Sequence, residues 1–245
     1  MNAAEYANLE ALEQEHWYYV GKRALVRYWL TRSSPLTATT TLLDCGAGTG
    51  RFAQEIATAC RVLVLDDHEE SLQRLRSKFP EDRVLQVSAT GIPLESETVD
   101  AITALDVLEH IEGDHVAVKE MGRVLKRGGV LVATVPASMA LWSDWDEALH
   151  HFRRYNRDQF LALFPADEWE IVYVNYTNVL VYPLVWSVRK LRHRLKRRSA
   201  VRSEDRVPPR WLNVLLTRAF VSLGTWRIPF PFGVSLILVA RRRVA

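Results

Sequence analysis

Leu42-Leu43-Asp44-Cys45-Gly46-Ala47-Gly48-Thr49-Gly50 is the stretch on which the fold turns. Thr40–Asp44 reads as a short buried strand that ends directly in glycines, and Phe52–Cys60 reads as the helix that follows. A strand, D-x-G-x-G-x-G and a helix make a phosphate or nucleoside site by geometry. Glycine lets the backbone approach a ligand with no Cβ in the way, and a helix N-terminus offers free N–H groups and a partial positive charge. An acidic residue about twenty positions further on, at the end of the next strand, is placed to hold ribose hydroxyls. Asp66 takes that place, with Asp67 beside it.

Outward from this turn the chain alternates. Arg61–Asp66 is a second strand, His68–Phe79 a charged surface helix and Val84–Val87 a third strand. Ala101–Leu105 is a fourth strand, His115–Leu125 a helix, Lys126–Gly129 a turn and Val130–Val135 a fifth strand. Upstream, residues 3–30 carry apolar and aromatic residues at helical spacing. Downstream, Trp169–Tyr176 and Ser235–Ala240 are two late strands, with one or two amphipathic helices over Asn178–Leu223 around a polar break at Ser199–Pro209. The expected fold is α/β, a doubly wound, mostly parallel, seven-stranded sheet with N-terminal helices and a C-terminal helical insertion. The expected division is an N-terminal helical cap (1–34) and a core (35–177 and 233–245) with an insertion at 137–165. A basic amphipathic helical insertion (178–232) completes it.

The glycine spacing discriminates between cofactors. A dinucleotide fingerprint needs Gly or Ala at the last position of G-x-G-x-x-G for close helix packing. Arg51 stands there, and the third glycine comes one residue early. This disfavours an NAD-type oxidoreductase.

The ordered segments LLDCGAGTG, VLVLDDHEESL, VDAITALDVLEHI and KEMGRVLKRGGVLVATVPA, over roughly residues 40–137, resemble the successive motifs of class I S-adenosylmethionine-dependent methyltransferases. EHWYYVGKR near the start and LWSDWDEALHHFRRY after the fifth strand are similar to a bacterial small-molecule subgroup. The resemblance implies a Rossmann-like methyltransferase that uses S-adenosylmethionine and releases S-adenosylhomocysteine. It implies that Gly46, Ala47, Gly48 and Gly50 line the methionine part of the cofactor, and that Asp44 orients its amino group. Asp66, with Asp67, holds the ribose; Leu105 contacts the cofactor; and Arg23 either reaches the cofactor carboxylate or is a solvated surface charge. Where the family often has an adenine-binding aspartate, this chain has Ser88-Ala89. A serine hydroxyl accepts a hydrogen bond more weakly than a carboxylate.

Methyl transfer is an in-line displacement, so positioning of the acceptor carries much of the rate. Three segments offer acceptor residues. Asp106, Glu109 and His110 follow the fourth strand; His16, Trp17 and Tyr18 lie near the start; Trp142, Asp146, His151, Arg153, Arg154 and Tyr155 follow the fifth strand. The expected catalytic set is His151, as general base or acceptor-orienting group, with His110 and Asp106. Arg153 or Arg154 is expected to bind an acceptor phosphate or carboxylate. The bland alternatives are a dipole-stabilised helix start for Glu109 and His110, packing for the tryptophans and surface charge for the arginines.

Val179–Trp186 runs into the basic stretch Arg189–Arg198, and Trp211–Leu223 adds a second apolar helix. Two readings stand. Either this unit lies on an anionic membrane surface, or it caps the sheet or forms a homodimer face. The remaining composition is ordinary. The 245 residues are 48% apolar and 25% charged with net charge +3, too weakly basic to point to nucleic acid. Cys45 and Cys60 lack metal-ligand spacing, and no metal is expected. The acidic start lacks the apolar core of a signal peptide, so the expected location is the cytoplasm, or the inner membrane surface if the basic unit binds lipid. The expected partner is a small-molecule acceptor, with lipid- or sugar-linked metabolites as the candidate class, and the competing class is a non-catalytic cofactor-binding scaffold.

Overall fold

The computed structural model describes residues 3–88, 91–194 and 207–244. Its strands are β1 (Thr41–Cys45), β2 (Arg61–Asp66), β3 (Val84–Gln86), β4 (Val99–Leu105), β5 (Leu125–Pro136), β6 (Trp169–Thr177) and β7 (Ser235–Arg242). They form one sheet in the order β3-β2-β1-β4-β5-β7-β6. Strands β1 to β5 are parallel, and β7 inserts antiparallel between β5 and β6. The order reverses at β1, which pairs with β2 on one side and β4 on the other. Such a switch point opens a crevice at the strand C-termini, and that is where this class of sheet binds ligands.

Helices α1 (Ala3–Glu15), α2 (Trp17–Ser33), α3 (Arg51–Ile56), α4 (Glu69–Lys78) and α5 (Asp114–Val124) surround the sheet, with short helices α6 (Asp144–Ala148) and α7 (Arg157–Leu161) after β5. The late pair is α8 (Tyr182–Arg194) and α9 (Arg210–Thr225). Both faces of the sheet are covered, so its inner strands are apolar on both sides. On one face Leu43, Ile102, Leu131 and Leu238 pack with Val118 and Met121 of α5 and with Phe160 and Trp169. On the other face Leu42, Val62, Val132 and Val239 pack with α3, with Leu25, Val26, Trp29 and Leu30 of α2, and with Phe220 of α9. The N-terminal segment is therefore a layer of the core. Trp29 stacks on Tyr173 at 3.8 Å between centroids and donates to the Gly224 carbonyl at 3.0 Å.

Two elements differ from the sequence expectation. The helix over 3–30 is divided at His16, whose Nδ1 accepts from the Tyr18 N–H at 3.3 Å and caps α2. The turn at 126–129 lies within β5 as a bulge: the ladder passes from Leu125 to Val130 while β4 advances only from Val99 to Ala101. Gly128 supplies the positive φ of +77° that this needs. Ala89, residues 195–206 with the end of the basic run, and most of the polar break at 199–209 lie outside the described residues.

Candidate active site

The glycine turn follows β1 at the switch point. Gly46 has φ +63°, and a Cβ there would lie 2.5 Å from Val107 Cγ2, so its glycine is required by packing as well as by backbone. Gly48 has φ +55°, yet a Cβ there would meet nothing closer than the Gly46 carbonyl at 3.9 Å. The space over Gly48 is open. The turn itself is held from both sides. Ser71 of α4 donates to the Gly48 carbonyl at 2.8 Å, and Lys78 donates to the Thr49 carbonyl at 2.7 Å. Asp66 accepts from the Gly48 N–H at 2.9 Å and from the Asp67 and His68 N–H groups at 3.0 Å each. The carboxylate is thereby fixed at the end of β2, and Oδ2, with a single donor, keeps acceptor or ligand capacity. Asp67 is exposed beside it.

Asp44 is buried at the end of β1 and accepts from the Thr103 hydroxyl at 2.6 Å. Burial, aided by the nearby Asp66 charge, pushes its carboxyl up to about 7 against the Thr103 hydrogen bond. Arg23 is buried too. Its Nε donates to Glu55 of α3 at 3.0 Å, while Nη1 is buried with no hydrogen-bond partner among the described residues. A buried, unsatisfied guanidinium nitrogen is costly unless something anionic meets it. The surface-charge alternative for Arg23 is therefore corrected. Two residues not foreseen from sequence close the site. Glu13 of α1 accepts from the Thr49 hydroxyl of the turn, and Glu10 pairs with Arg74 and Lys78 of α4, laying α1 across the glycine turn. Ser88 hydrogen-bonds with Gly91 through backbone and hydroxyl, closing a tight loop after β3. Leu105 is half-buried at the end of β4.

Beyond β4 the chain turns sharply at Asp106, which takes a left-handed φ of +55°. Its carboxylate accepts from Lys22 at 2.8 Å, from Thr134 at 2.9 Å and from Tyr18 at 3.4 Å. Burial would raise the Asp106 carboxyl, but the Lys22 charge together with the hydrogen bonds from Lys22 and Thr134 holds the group below its ordinary value. The same pair drives Lys22 upward despite burial, and burial pushes the Tyr18 phenol up to about 12. Lys22 carries no sequence signal of its own; it is brought to Asp106 by one helical turn from Tyr18. Three residues on, Glu109 is fully buried, and among the described residues neither carboxylate oxygen meets a hydrogen-bonding group of another residue. Burial holds this carboxyl well above the usual carboxylate range.

The segment after β5 folds over this corner. Asp146 is fully buried and gathers His151 Nδ1 at 3.0 Å, Arg154 Nε at 2.6 Å and Arg189 Nη1 of α8 at 3.7 Å. Burial would raise the Asp146 carboxyl, but the His151 hydrogen bond and the Arg154 and Arg189 charges hold it down at about 2. His151 packs edge-on to His110 at 4.6 Å between centroids. Several expected acceptor contacts are corrected here. Arg154 is spent on Asp146 and the Ala137 carbonyl, and Arg153 on Asp114 at 2.6 Å and the Glu112 carbonyl at 2.7 Å. Tyr155 is buried, donating between Asp114 and the Leu108 carbonyl. These three side chains brace the loop. His16 caps α2, and Trp17 packs edge-on to Phe220. Trp142 is half-buried after the 139–141 turn. Tyr18, Asp106, His110 and His151 remain in the acceptor-side corner.

A sheet of this order, with a glycine turn at its switch point and a fixed acidic residue at the end of β2, defines a Rossmann-like, nucleoside-cofactor-binding protein. Residues 43–133 match the family model described as a methyltransferase domain. A Mycobacterium tuberculosis relative, whose name assigns it to the S-adenosylmethionine-dependent methyltransferases, is 28% identical over 153 residues, 61% of this chain and 54% of its own. The chain spans about half the length of the curated relatives it matches. Among solved structures, the methyltransferase chain in the complex with the Haloferax volcanii Trm112 methyltransferase activator superposes with a TM-score of 0.63 at 17% identity, covering 96% of this chain and 93% of that one. A geranyl diphosphate methyltransferase in complex with S-adenosylmethionine gives a TM-score of 0.60 at 17% identity, covering 91% and 85%. These two show the shared fold. Over residues 43–133 the chain is thus similar to a methyltransferase domain, and its Mycobacterium tuberculosis relatives carry names that assign them to the S-adenosylmethionine-dependent methyltransferases. The residues present fit S-adenosylmethionine: open space over Gly48, one buried guanidinium nitrogen of Arg23 with no partner among the described residues, and a fixed carboxylate on Asp66.

Proposed function

We propose that this protein transfers a methyl group to a small-molecule acceptor seated between Asp106, Tyr18 and His151, and that the acceptor is lipid- or sugar-linked. The cofactor, when bound, supplies a methyl group on a sulfonium for in-line displacement, in which the C–S bond breaks as the bond to the acceptor forms. The protein's own residues bind and align. The turn, Asp44, Arg23 and Asp66 hold the donor end. Lys22, Thr134 and the left-handed backbone fix Asp106 at the adjoining strand terminus. Asp146 fixes the tautomer of His151 by taking its Nδ1–H, so that Nε2 is the nitrogen offered outward. The observation that carries the reading is this adjacency: the cofactor turn and the polar corner meet at the ends of β1 and β4. Positioning of this kind can supply much of a displacement rate.

A further observation favours the lipid-linked class of acceptor. Leu184, Val188 and Leu191 form an exposed stripe along α8, Leu180 is exposed just before it, and Trp211, Val214 and Leu215 are exposed on α9. Lys190 lies over the Trp186 ring at 4.3 Å beside them. Apolar residues flanked by cations suit the surface of an anionic membrane. Among the described residues no helix is long and apolar enough to cross a membrane. The inner face of α9, through Phe220 and Gly224, caps α2 and the sheet, which the alternative reading of this unit had anticipated.

The test has two arms. Calorimetry with S-adenosylhomocysteine, followed by transfer of radiolabelled methyl to lipid and sugar-lipid extracts, should show binding and labelled product. Binding without transfer to any extract would support the scaffold instead. Flotation with anionic vesicles at low salt should carry the protein upward; equal recovery with neutral vesicles would remove the membrane element.

A further inference from the structure

We infer that Glu109, His110 and His151 form a binding site for a divalent transition-metal cation on the acceptor side of the active site. Their donor atoms all lie within 4.8 Å of one another. Two imidazoles and one carboxylate are a ligand set suited to Zn²⁺ or Fe²⁺ rather than Mg²⁺ or Ca²⁺.

Three observations point to a ligand there. First, Glu109 is fully buried with both carboxylate oxygens lacking a partner on any other described residue. A buried carboxylate in that state is expensive, and a cation is the partner that repairs it. Second, one ring nitrogen of His151 is already engaged. His151 Nδ1 is on Asp146 at 3.0 Å, and the His110 ring packs edge-on against the His151 ring. Metal-ligating histidines characteristically give their second nitrogen to a carboxylate or backbone carbonyl, which sets the tautomer and aims the free nitrogen. Third, Asp146 is held rigid by Arg154 and the Ser143 capping box, so His151 is aimed from a fixed base.

The contraction required is small. Metal–ligand distances of about 2.0–2.2 Å place neighbouring donors about 3–3.5 Å apart. Donors spread within 4.8 Å reach that by small side-chain rotations. Three protein ligands leave a coordination position open, and His110 is exposed, so cation and acceptor can enter from that side. If the methyl-transfer reading holds, the open position would bind an acceptor oxygen and thereby fix it; the metal site itself does not depend on that reading.

The experiment measures metal binding, separately from activity. The metal-free full chain is titrated with Zn²⁺, and Co²⁺ is added in parallel for its visible spectrum. One equivalent should bind tightly, with Co²⁺ bands of a four- or five-coordinate site and little response to Mg²⁺. Glu109→Gln and His110→Ala should each weaken Zn²⁺ at least tenfold and abolish the Co²⁺ bands, while His150→Ala, at the exposed neighbouring histidine, should not. Circular dichroism melts confirm that each variant is folded; His110→Ala, at the exposed ligand, remains informative if Glu109→Gln does not fold. No stoichiometric Zn²⁺ binding by the wild type, or undiminished binding by folded His110→Ala, overturns the inference. S-adenosylhomocysteine calorimetry on the same samples reports the cofactor site independently, so failure of either reading is seen separately.

Discussion

Asp146→Asn tests whether the post-β5 segment is held by one buried charge. The substitution keeps the shape and removes the charge. Asp146 is fully buried, with Arg154 Nε at 2.6 Å, His151 Nδ1 at 3.0 Å and Arg189 Nη1 at 3.7 Å. Removing one partner of a buried ion pair strands the other and costs about 3–5 kcal/mol. For a chain of this size, at about 2–4 °C per kcal/mol, Tm should fall by about 6–20 °C. Titration gives an independent magnitude. The carboxyl lies at about 2 in the folded protein against an ordinary 3.8, which at about 1.4 kcal/mol per unit amounts to about 2.5 kcal/mol. Because the folded value is depressed, this contribution is complete above 3.8 and is lost as pH falls toward 2. It is the smaller figure for a physical reason: a protonated carboxyl keeps two acceptor oxygens, whereas the amide turns an –NH₂ toward Ser143 or an arginine. The assay is urea unfolding followed by circular dichroism at pH 7 and pH 3, with thermal melts alongside. The gap between wild type and variant should be large at pH 7 and narrow at pH 3. A difference under about 1 kcal/mol at pH 7, or one unchanged at pH 3, refutes the reasoning.

Three further outcomes are expected. Gly48→Ala should fold with a strain penalty of about 1–2 kcal/mol from its positive φ, yet lose at least about tenfold in S-adenosylhomocysteine affinity, because its Cβ enters the open cofactor space; unchanged affinity would place the cofactor elsewhere. Arg23→Ala should weaken S-adenosylhomocysteine by about 10–100-fold, the worth of a charged hydrogen bond of about 1.5–3 kcal/mol, but leave adenosine, which has no carboxylate, unaffected in the same calorimeter. Asp44 must be ionised to hold the cofactor ammonium, and its carboxyl lies at about 7. S-adenosylhomocysteine affinity should therefore rise between pH 6 and pH 8, and a profile as flat as that of Asp44→Asn would remove Asp44 from the contact.

The donor half of the site was legible in the sequence because its chemistry is local. A strand, alternate glycines and a helix are consecutive, and Asp66 follows at a spacing set by one intervening helix. Gly46, Asp44 and Asp66 stand where that spacing placed them. The acceptor half was legible only as a list of residue types, because burial and pairing there depend on distant segments. Arg154 and Arg153 look alike as free cations for an anionic acceptor until Asp146 and Asp114 are seen to consume them. Lys22 and Asp106 are 84 residues apart, and neither announces the other. Arg189, read as part of a solvated basic run, turns inward to Asp146 and the Leu141 carbonyl.

That inward turn bears on how the two halves work together. Arg189 belongs to α8, the helix with the exposed apolar stripe, and Asp146 is the residue that aims His151. The surface that would meet a lipid and the imidazole that would meet the acceptor are therefore joined through a single buried carboxylate. A shift of α8 that withdrew Arg189 would leave Asp146 with less compensating charge and change the setting of the hydrogen bond that fixes the His151 tautomer. Arg189→Met keeps the length and the apolar stem of the side chain while removing this charge. If the coupling is real, the variant should move the His151 ring resonances in NMR spectra, because Asp146 loses one of its three buried partners. It should also change vesicle binding little, since the exposed stripe is untouched. Unmoved His151 resonances would mean that α8 and the acceptor corner are neighbours without being coupled.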